Sequence, residues 1–235
     1  AQAVVSEGAK ILCVDVAHGH HVLMKVALKK LRNHFGSSVH IIAGNVATLD
    51  GFNDLADWGA DSIRVGIGGG SICSTRVQTG HGVPTLQSVI DCFKTDRDAL
   101  IIADGGMKSS GDIAKALAAG ADLVMCGSMF AGTDESPGEV FQSSDRKKYK
   151  VYRGMASVEA QRDWKGSHNS VEGISTTIPY KGSVVNIVEL MKKQLSSACS
   201  YTGARNLKEF KQKKDFIIQS NSSQIESSTH ILNRR

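Results

Sequence analysis

The chain has 235 residues, 41% of them hydrophobic and 22% charged, so it is long enough to bury one full core and is typical of a globular domain. Its net charge of +5 is mild and only 6% of its residues are aromatic, which argues against a nucleic-acid partner. No apolar run approaches the ~20 residues of a membrane-spanning helix, so we expect no membrane partner either.

Five short apolar runs predict strands, with helical patterns between them. The runs lack regular alternation, as expected of strands buried on both faces. The predicted strands are residues 11–15, 39–45, 62–68, 100–106 and 122–128, and the predicted helices are residues 21–35, 49–58, 85–93 and 110–119. Gly-Ala-Asp joins a helix to a strand at residue 59 and again at residue 120. This repetition is typical of a βα array and predicts an α/β fold with a parallel sheet.

The pattern changes after residue 128. Two further strands are predicted at residues 148–153 and 174–180, on either side of a polar segment, and helices follow at residues 184–195 and 206–213. The segment 220–235 is rich in Ser, Asn and Gln, which predicts a flexible tail.

Five cysteines are scattered along the chain without a Cys-x-x-Cys pair, which argues against a zinc site. Such usage fits the reducing cytosol, so we expect a cytoplasmic protein. Cys13 and Cys126 stand in apolar strand-like runs, where we expect them to be buried packing residues.

The glycine-rich loop after the third predicted strand carries a cysteine between hydroxyl residues. Its glycines allow positive φ and close approach of a ligand, and its backbone groups can bind an ion. Cys73, near Arg76, is therefore a candidate nucleophile, and a purely structural turn is the alternative. We expect no helix for about fifteen residues after Gly70, until Pro84, so the loop does not match a dinucleotide-binding fingerprint.

Candidate functional residues follow the end of each predicted strand. In a (β/α)8 barrel the active site lies at these carboxyl ends, and in a doubly wound sheet it lies at the switch point. The pattern alone leaves both architectures open.

Four motifs resemble the IMP dehydrogenase and GMP reductase family: GIGGGSICSTR at 66–76, ADGG at 103–106, CGSMFAG at 126–132 and YRGM at 152–155. The resemblance runs from about residue 8 to residue 203. It implies a (β/α)8 TIM barrel that binds a purine nucleotide and a nicotinamide cofactor. Since only five βα-like strands are present, we expect a partial barrel domain over residues 1–219 that lacks the first three βα units, with a mobile flap at about 156–171.

The resemblance also implies catalytic roles. Cys73 resembles the nucleophile that adds to C2 of the purine. Thr75 would hydrogen-bond the group that enters or leaves at C2, and a loop cap is its alternative role. Glu159 would protonate the departing nitrogen, although it lies one residue beyond the position expected of a reductase, and a solvated glutamate is its alternative.

The implied substrate is a purine nucleoside monophosphate held at three strand ends. Asp104 would bind the ribose hydroxyls, with helix capping as its alternative, Tyr152 would reach the phosphate, and Glu172 would contact purine N1. The remaining substrate-binding residues are Ser71, Gly105, Gly106, Gly127, Ser128, Gly154, Met155 and Ala156.

Cofactor and ion sites follow from the same resemblance. Asp15, with Val16 and Ala17 beside it, would meet the nicotinamide ribose, and Asn45 would line the same floor. The carbonyls of Gly68, Gly70 and Cys73 resemble a potassium site. The family also implies a homo-oligomer, specifically a tetramer.

The segment between Met155 and Glu172 favours one branch of the family. It has sixteen residues and lacks the Arg-Tyr pair that the dehydrogenases use for hydrolysis. The sequence therefore predicts a GMP reductase, which converts GMP and NADPH to IMP, ammonia and NADP. The alternatives are an IMP dehydrogenase, which converts IMP, NAD and water to XMP and NADH, and an inactive nucleotide-binding fragment.

Overall fold

The computed structural model describes residues 1–144, 146–167, 173–213 and 215–229. Its first part alternates helices and strands, as the βα pattern predicts. In chain order the elements are α1 (Gln2–Ser6), β1 (Ile11–Asp15), α2 (Val22–Phe35), β2 (His40–Val46), α3 (Leu49–Asp57), β3 (Ser62–Val65), α4 (Thr75–Thr79), α5 (Thr85–Cys92), β4 (Leu100–Asp104), α6 (Ser110–Ala119) and β5 (Leu123–Met125).

The second part adds an antiparallel sheet and the C-terminal helices. Its elements are β6 (Phe141–Gln142), β7 (Lys148–Arg153), α7 (Val158–Lys165), β8 (Ser175–Pro179), α8 (Val184–Thr202), α9 (Leu207–Gln212) and α10 (Asn221–Glu226). The strands pair in the order β6-β7-β8. None of the described helices is both long and apolar enough to cross a membrane.

The parallel sheet has the strand order β1-β2-β3-β4-β5, so every strand pairs with its neighbours in sequence. The predicted α/β fold with a parallel sheet is confirmed. Among the described residues β1 and β5 are the two edges of an open sheet, whereas a closed eight-stranded barrel has no edges. The closed barrel is therefore not part of the observed architecture.

The core lies between one face of this sheet and the helices that follow its strands. Fully buried side chains from both layers include Ile41, Ile63, Phe52, Leu28 and Val89. The other face is barer, since Ile11 is 58% and Leu123 50% exposed. Cys13 shares the face of Ile11 because alternate strand residues point the same way, and it is exposed; its predicted burial is wrong.

Several helices differ from the prediction, among them α4, α8 and α10; α1 and α7 were not predicted either. α4 begins five residues after Gly70, so the expected helix-free stretch is wrong; this short helix is capped at Gly80, where φ is 72° and the N–H donates to the Arg76 carbonyl. α8 extends seven residues past 195 and ends only at Gly203, whose φ of 65° forms the left-handed cap that terminates the helix. α10 lies within the predicted tail, whose flexibility stays a prediction.

Candidate functional site

A cavity of about 610 Å³ lies at the carboxyl ends of β1 to β4, where the predicted site residues converge. It is lined by both predicted catalytic residues of the glycine-rich loop, Cys73 and Thr75. The predicted substrate and cofactor residues that line it are Ser71, Asp104, Gly105, Tyr152, Gly154, Met155, Ala156, Asp15, Val16, Ala17 and Asn45. Side chains and backbone from five chain segments thus share one cavity.

The candidate nucleophile lies at the start of α4 and is exposed to the cavity. Cys73 Sγ donates a hydrogen bond to Thr75 Oγ1 at 3.2 Å, and the Cys73 N–H donates to the Gly70 carbonyl at 3.1 Å. These contacts hold thiol and hydroxyl side by side. A nucleophile and a hydroxyl at this separation can act on the same atom of a ligand.

Close packing between two loops explains why glycines are needed beside the nucleophile. A Cβ at Gly66, where φ is 147°, would lie 2.0 Å from the Asp104 carbonyl oxygen. A Cβ at Gly105, where φ is 88°, would lie 2.9 Å from the carbonyl carbon of Gly69. The loops after β3 and β4 therefore approach more closely than side chains allow, which presents their backbone groups to the cavity.

A charged network forms the floor of the cavity. Arg64 donates to Asp104 Oδ2 at 2.9 Å and pairs with Asp15 at 2.7 Å. Asn45 Nδ2 donates to the same oxygen, Asp104 Oδ2, at 2.7 Å. Burial alone would lower the pKa of the Arg64 guanidinium, but the two carboxylates raise it overall. This arginine stays charged and holds both acids in place.

Arg64 was not predicted as a site residue, although the sequence carries one signal for it. An arginine inside an otherwise apolar strand indicates a buried charge that needs a partner. In the structure its side chain is 13% exposed and bridges the ends of β1 and β4. Gln161, on α7, was missed too and lines the same cavity.

A smaller cavity of about 180 Å³ adjoins the first and shares Ser71, Asp104, Gly105 and Tyr152 with it. It also brings in three more of the predicted substrate-binding residues, Gly106, Gly127 and Ser128. The hydroxyls of Ser71 and Tyr152 lie 3.2 Å apart across it. Glycine backbone and hydroxyl groups around a small space can bind an anion such as phosphate.

Glu159 does not line the cavity that the other predicted catalytic residues share. It is outside the lining of both cavities, and its carboxylate accepts a hydrogen bond from the Ser175 hydroxyl at 2.8 Å. Hydrogen bonds from its own backbone N–H and from Ser175 hold the pKa of Glu159 below its usual value. In this arrangement it is a carboxylate and not a proton donor, and its catalytic role stays a prediction. Glu172 lies outside the described residues.

The structure links the catalytic loop to the segment before β8. The Gly173 N–H donates to Ser74 Oγ at 3.0 Å, next to Cys73. Gly68 and Gly70 also line the larger cavity, and the Gly70 carbonyl accepts the Cys73 N–H. Potassium binding by this loop stays a prediction.

A third cavity of about 680 Å³ shares Gly127 and Tyr152 but is lined mainly by apolar groups such as Phe130 and Val151. Glycines and hydroxyl residues line it too, but Cys73, Thr75 and Asp104 do not. The volume of a cavity therefore does not by itself identify the functional site of this chain.

Several known proteins are similar to this chain in sequence and in fold. Residues 1–230 match the model of the IMP dehydrogenase / GMP reductase domain. An inosine-5′-monophosphate dehydrogenase from Nitrosopumilus maritimus is 42% identical over 97% of this chain and 51% of its own length. A GMP reductase from Leishmania major is also 42% identical, over 100% of this chain and 50% of its own length.

A solved structure agrees with these relatives. A GMP reductase from Trypanosoma brucei, in complex with guanosine 5′-monophosphate, superposes with a TM-score of 0.91 at 40% identity, over 97% of this chain and 48% of that one. The chain spans about half the length of the curated relatives it matches. With the family model covering nearly all of its residues, and the motifs of the glycine-rich loop gathered in one cavity, this chain belongs to the IMP dehydrogenase / GMP reductase family.

Proposed function

We propose that this chain is the catalytic part of a GMP reductase, which converts GMP to IMP and ammonia with NADPH as the reductant. The observation that carries the proposal is the Cys73–Thr75 pair, 3.2 Å apart, at a cavity with a phosphate-sized extension. The residues between Met155 and Glu172 include no Arg-Tyr pair, which favours deamination over hydrolysis.

The sizes and lining residues of the two cavities favour one orientation of the nucleotide. Its phosphate would occupy the smaller cavity, against Ser71, Tyr152 and the turn after β5. Asp104 lines both cavities and would accept hydrogen bonds from the ribose hydroxyls between them. The base would then extend toward Cys73 in the larger cavity. The GMP in the Trypanosoma brucei reductase supports a ligand of this chemical class.

Cys73 and Thr75 would act together on C2 of the purine. The Cys73 sulfur forms a bond to C2, and the bond from C2 to the exocyclic nitrogen breaks as that nitrogen takes the proton that the thiol gives up and leaves as ammonia. Thr75 Oγ1, beside the sulfur, would orient the departing amine by a hydrogen bond. A final step replaces the bond from sulfur to C2 with a bond to hydrogen and releases the thiolate.

The floor of the larger cavity suits a nicotinamide cofactor. Asn45 Oδ1 is buried there without a hydrogen-bond partner among the described residues, so it is available to a ligand N–H or O–H. Asp15, Val16, Ala17 and Asn45 would hold the nicotinamide and its ribose. When bound, the reduced nicotinamide supplies the hydride for C2.

The proposal extends to the rest of the fold. Five consecutive parallel strands with two open edges fit one part of a (β/α)8 TIM barrel, and the matched relatives are about twice as long as this chain. A tetrameric assembly and a potassium ion at Gly68, Gly70 and Cys73 complete the proposal by resemblance.

An IMP dehydrogenase is the second candidate, and one observation favours it. Glu159 does not line either cavity and its carboxylate accepts a hydrogen bond from the Ser175 hydroxyl, so the acid predicted for ammonia release is not part of the cavity lining. The identity to the Nitrosopumilus maritimus dehydrogenase equals that to the Leishmania major reductase. The assay must therefore test both directions of hydride transfer.

The test follows the near-ultraviolet absorbance of reduced nicotinamide. With GMP and NADPH we expect the absorbance to fall and ammonia to appear in equal amount; with IMP and NAD we expect no change. Cys73→Ser should abolish turnover and keep GMP binding, because an alcohol is far less ionised than a thiol. A rise with IMP and NAD would assign the dehydrogenase, and a folded chain that binds GMP but turns over neither pair would be the inactive nucleotide-binding fragment.

A further inference from the structure

We infer that Lys181 is a positioning residue that orients the phosphate-binding turn after β5, although it does not line either cavity of the site. The inference rests on the proposed nucleotide function. Its basis is a pair of hydrogen bonds, from Lys181 Nζ to the Ser128 carbonyl at 2.6 Å and to the Met129 carbonyl at 3.1 Å.

The turn after β5 has the form of a short helical turn. The Gly127 carbonyl accepts hydrogen bonds from the N–H groups of Phe130 and Ala131, at 3.1 and 3.0 Å. The N–H groups of Ser128 and Met129 donate to no acceptor among the described residues. Like the first N–H groups of a helix, they are free to bind an anion, and Ser128 lines the smaller cavity.

Lys181 acts on the opposite side of the same peptide group. The Ser128 carbonyl and the Met129 N–H belong to one planar peptide bond, in which they point in opposite directions. An ammonium that holds the carbonyl therefore also fixes the direction of the N–H. The positive charge at the carbonyl end further polarises the peptide, which strengthens its N–H as a donor to phosphate.

The backbone around Lys181 is itself anchored to the same loop. The Lys181 N–H donates to the Gly132 carbonyl at 2.8 Å, and the Gly182 carbonyl accepts the Asp134 N–H at 3.0 Å. Gly182 also forms an isolated bridge with Thr133. The Lys181 ammonium is thus attached to a backbone segment between β8 and α8 that hydrogen bonds hold in place.

The comparison of GMP with guanosine tests this role, because only GMP carries the phosphate. We expect Lys181→Met to weaken GMP binding by about tenfold or more, the effect of losing charge-assisted hydrogen bonds, while guanosine affinity stays within about twofold. Lys181→Arg should recover most of the loss, since a guanidinium can donate to both carbonyls. The matched control is Lys148→Met, which removes an exposed lysine near Tyr180 and should change neither affinity.

Titration calorimetry on the 235-residue chain and its variants gives these affinities, after a cooperative thermal melt has shown that each is folded. Hydrogen exchange of the peptide covering residues 127–131 provides a readout without nucleotide, and should be faster in Lys181→Met and Lys181→Gln than in Lys148→Met. Equal losses for GMP and guanosine, or unchanged exchange, would overturn the inference and leave the proposed function standing. A parent chain that binds no GMP would overturn both.

Discussion

Arg64 offers the most direct test of the charged network under the site. Replacing it with Met keeps much of the side-chain volume but leaves Asp104 and Asp15 without their shared cation. Removing one partner of a buried ion pair costs about 3–5 kcal/mol, and of an exposed pair about 0–1 kcal/mol. The side chains of Arg64 and Asp104 are 13% and 19% exposed at an open cavity, whereas Asp15 is 57% exposed.

The Asp104 pair therefore dominates, and its position at the rim of a cavity reduces the cost below that of a dry interior. We expect Arg64→Met to lower the free energy of unfolding by about 2–4 kcal/mol at neutral pH. Urea unfolding, with its midpoint and slope, measures this change. Adding Asp104→Asn to the Arg64→Met chain should restore part of the stability, because it removes the carboxylate left unpaired.

The control is Arg97→Met, which removes an arginine that pairs with Asp57 at 2.8 Å on the exposed surface. We expect its urea midpoint to stay close to that of the parent, because solvent screens such a pair. Equal effects of the Arg64 and Arg97 substitutions, or a loss below about 0.5 kcal/mol for Arg64→Met, would refute the reasoning that burial makes the floor network strong.

Two further predictions concern titratable groups. Burial would raise the pKa of Asp112, but hydrogen bonds from Lys115, Ser109 and the Lys108 N–H lower it overall. The Asp112 carboxylate therefore stabilises the fold at pH values above its unfolded pKa. This contribution is lost as pH falls through the pKa of the folded state. Asp112→Asn should therefore cost about 0.5–2 kcal/mol at neutral pH in a urea titration and nothing in acid; a difference that persists in acid contradicts this. Iodoacetamide should label exposed Cys73 within minutes and spare Cys92, as detected by peptide mass spectrometry. The reason is that Cys92 is fully buried and that burial raises the pKa of its thiol to about 12. Equal labelling of the two cysteines in the folded chain would contradict the burial of Cys92.

Local patterns predicted most of the fold. The strand over residues 11–15 and the helix over residues 110–119 are observed with the predicted ends, because an apolar run marks the strand and Gly120 marks the end of the helix. The third strand ends at Val65 and not at 68, since Gly66 has a positive φ and leaves the extended conformation. Composition alone does not reveal that departure.

Some contacts of the site join residues close in sequence and were predictable, whereas others join distant residues and were not. Cys73 and Thr75 are two residues apart, so sequence spacing was enough to pair them. Arg64 contacts Asp104 across 40 positions, and Lys181 contacts Ser128 across 53. Such contacts depend on the register of strands and on loop paths that no local pattern encodes. For Lys181 the sequence carries no signal beyond an ordinary polar turn.

The strand order has a consequence for how the polypeptide acquires its structure during translation. Every pair in the parallel sheet joins strands that follow one another in the chain, so each strand from β2 to β5 emerges from the ribosome with its partner already made. The loop to be closed at each step is a single βα unit, which keeps the entropic cost of pairing low. The Asp104–Arg64 contact spans the β3–β4 pair, so the floor of the cavity can assemble before the residues of β6 to β8 have been synthesised.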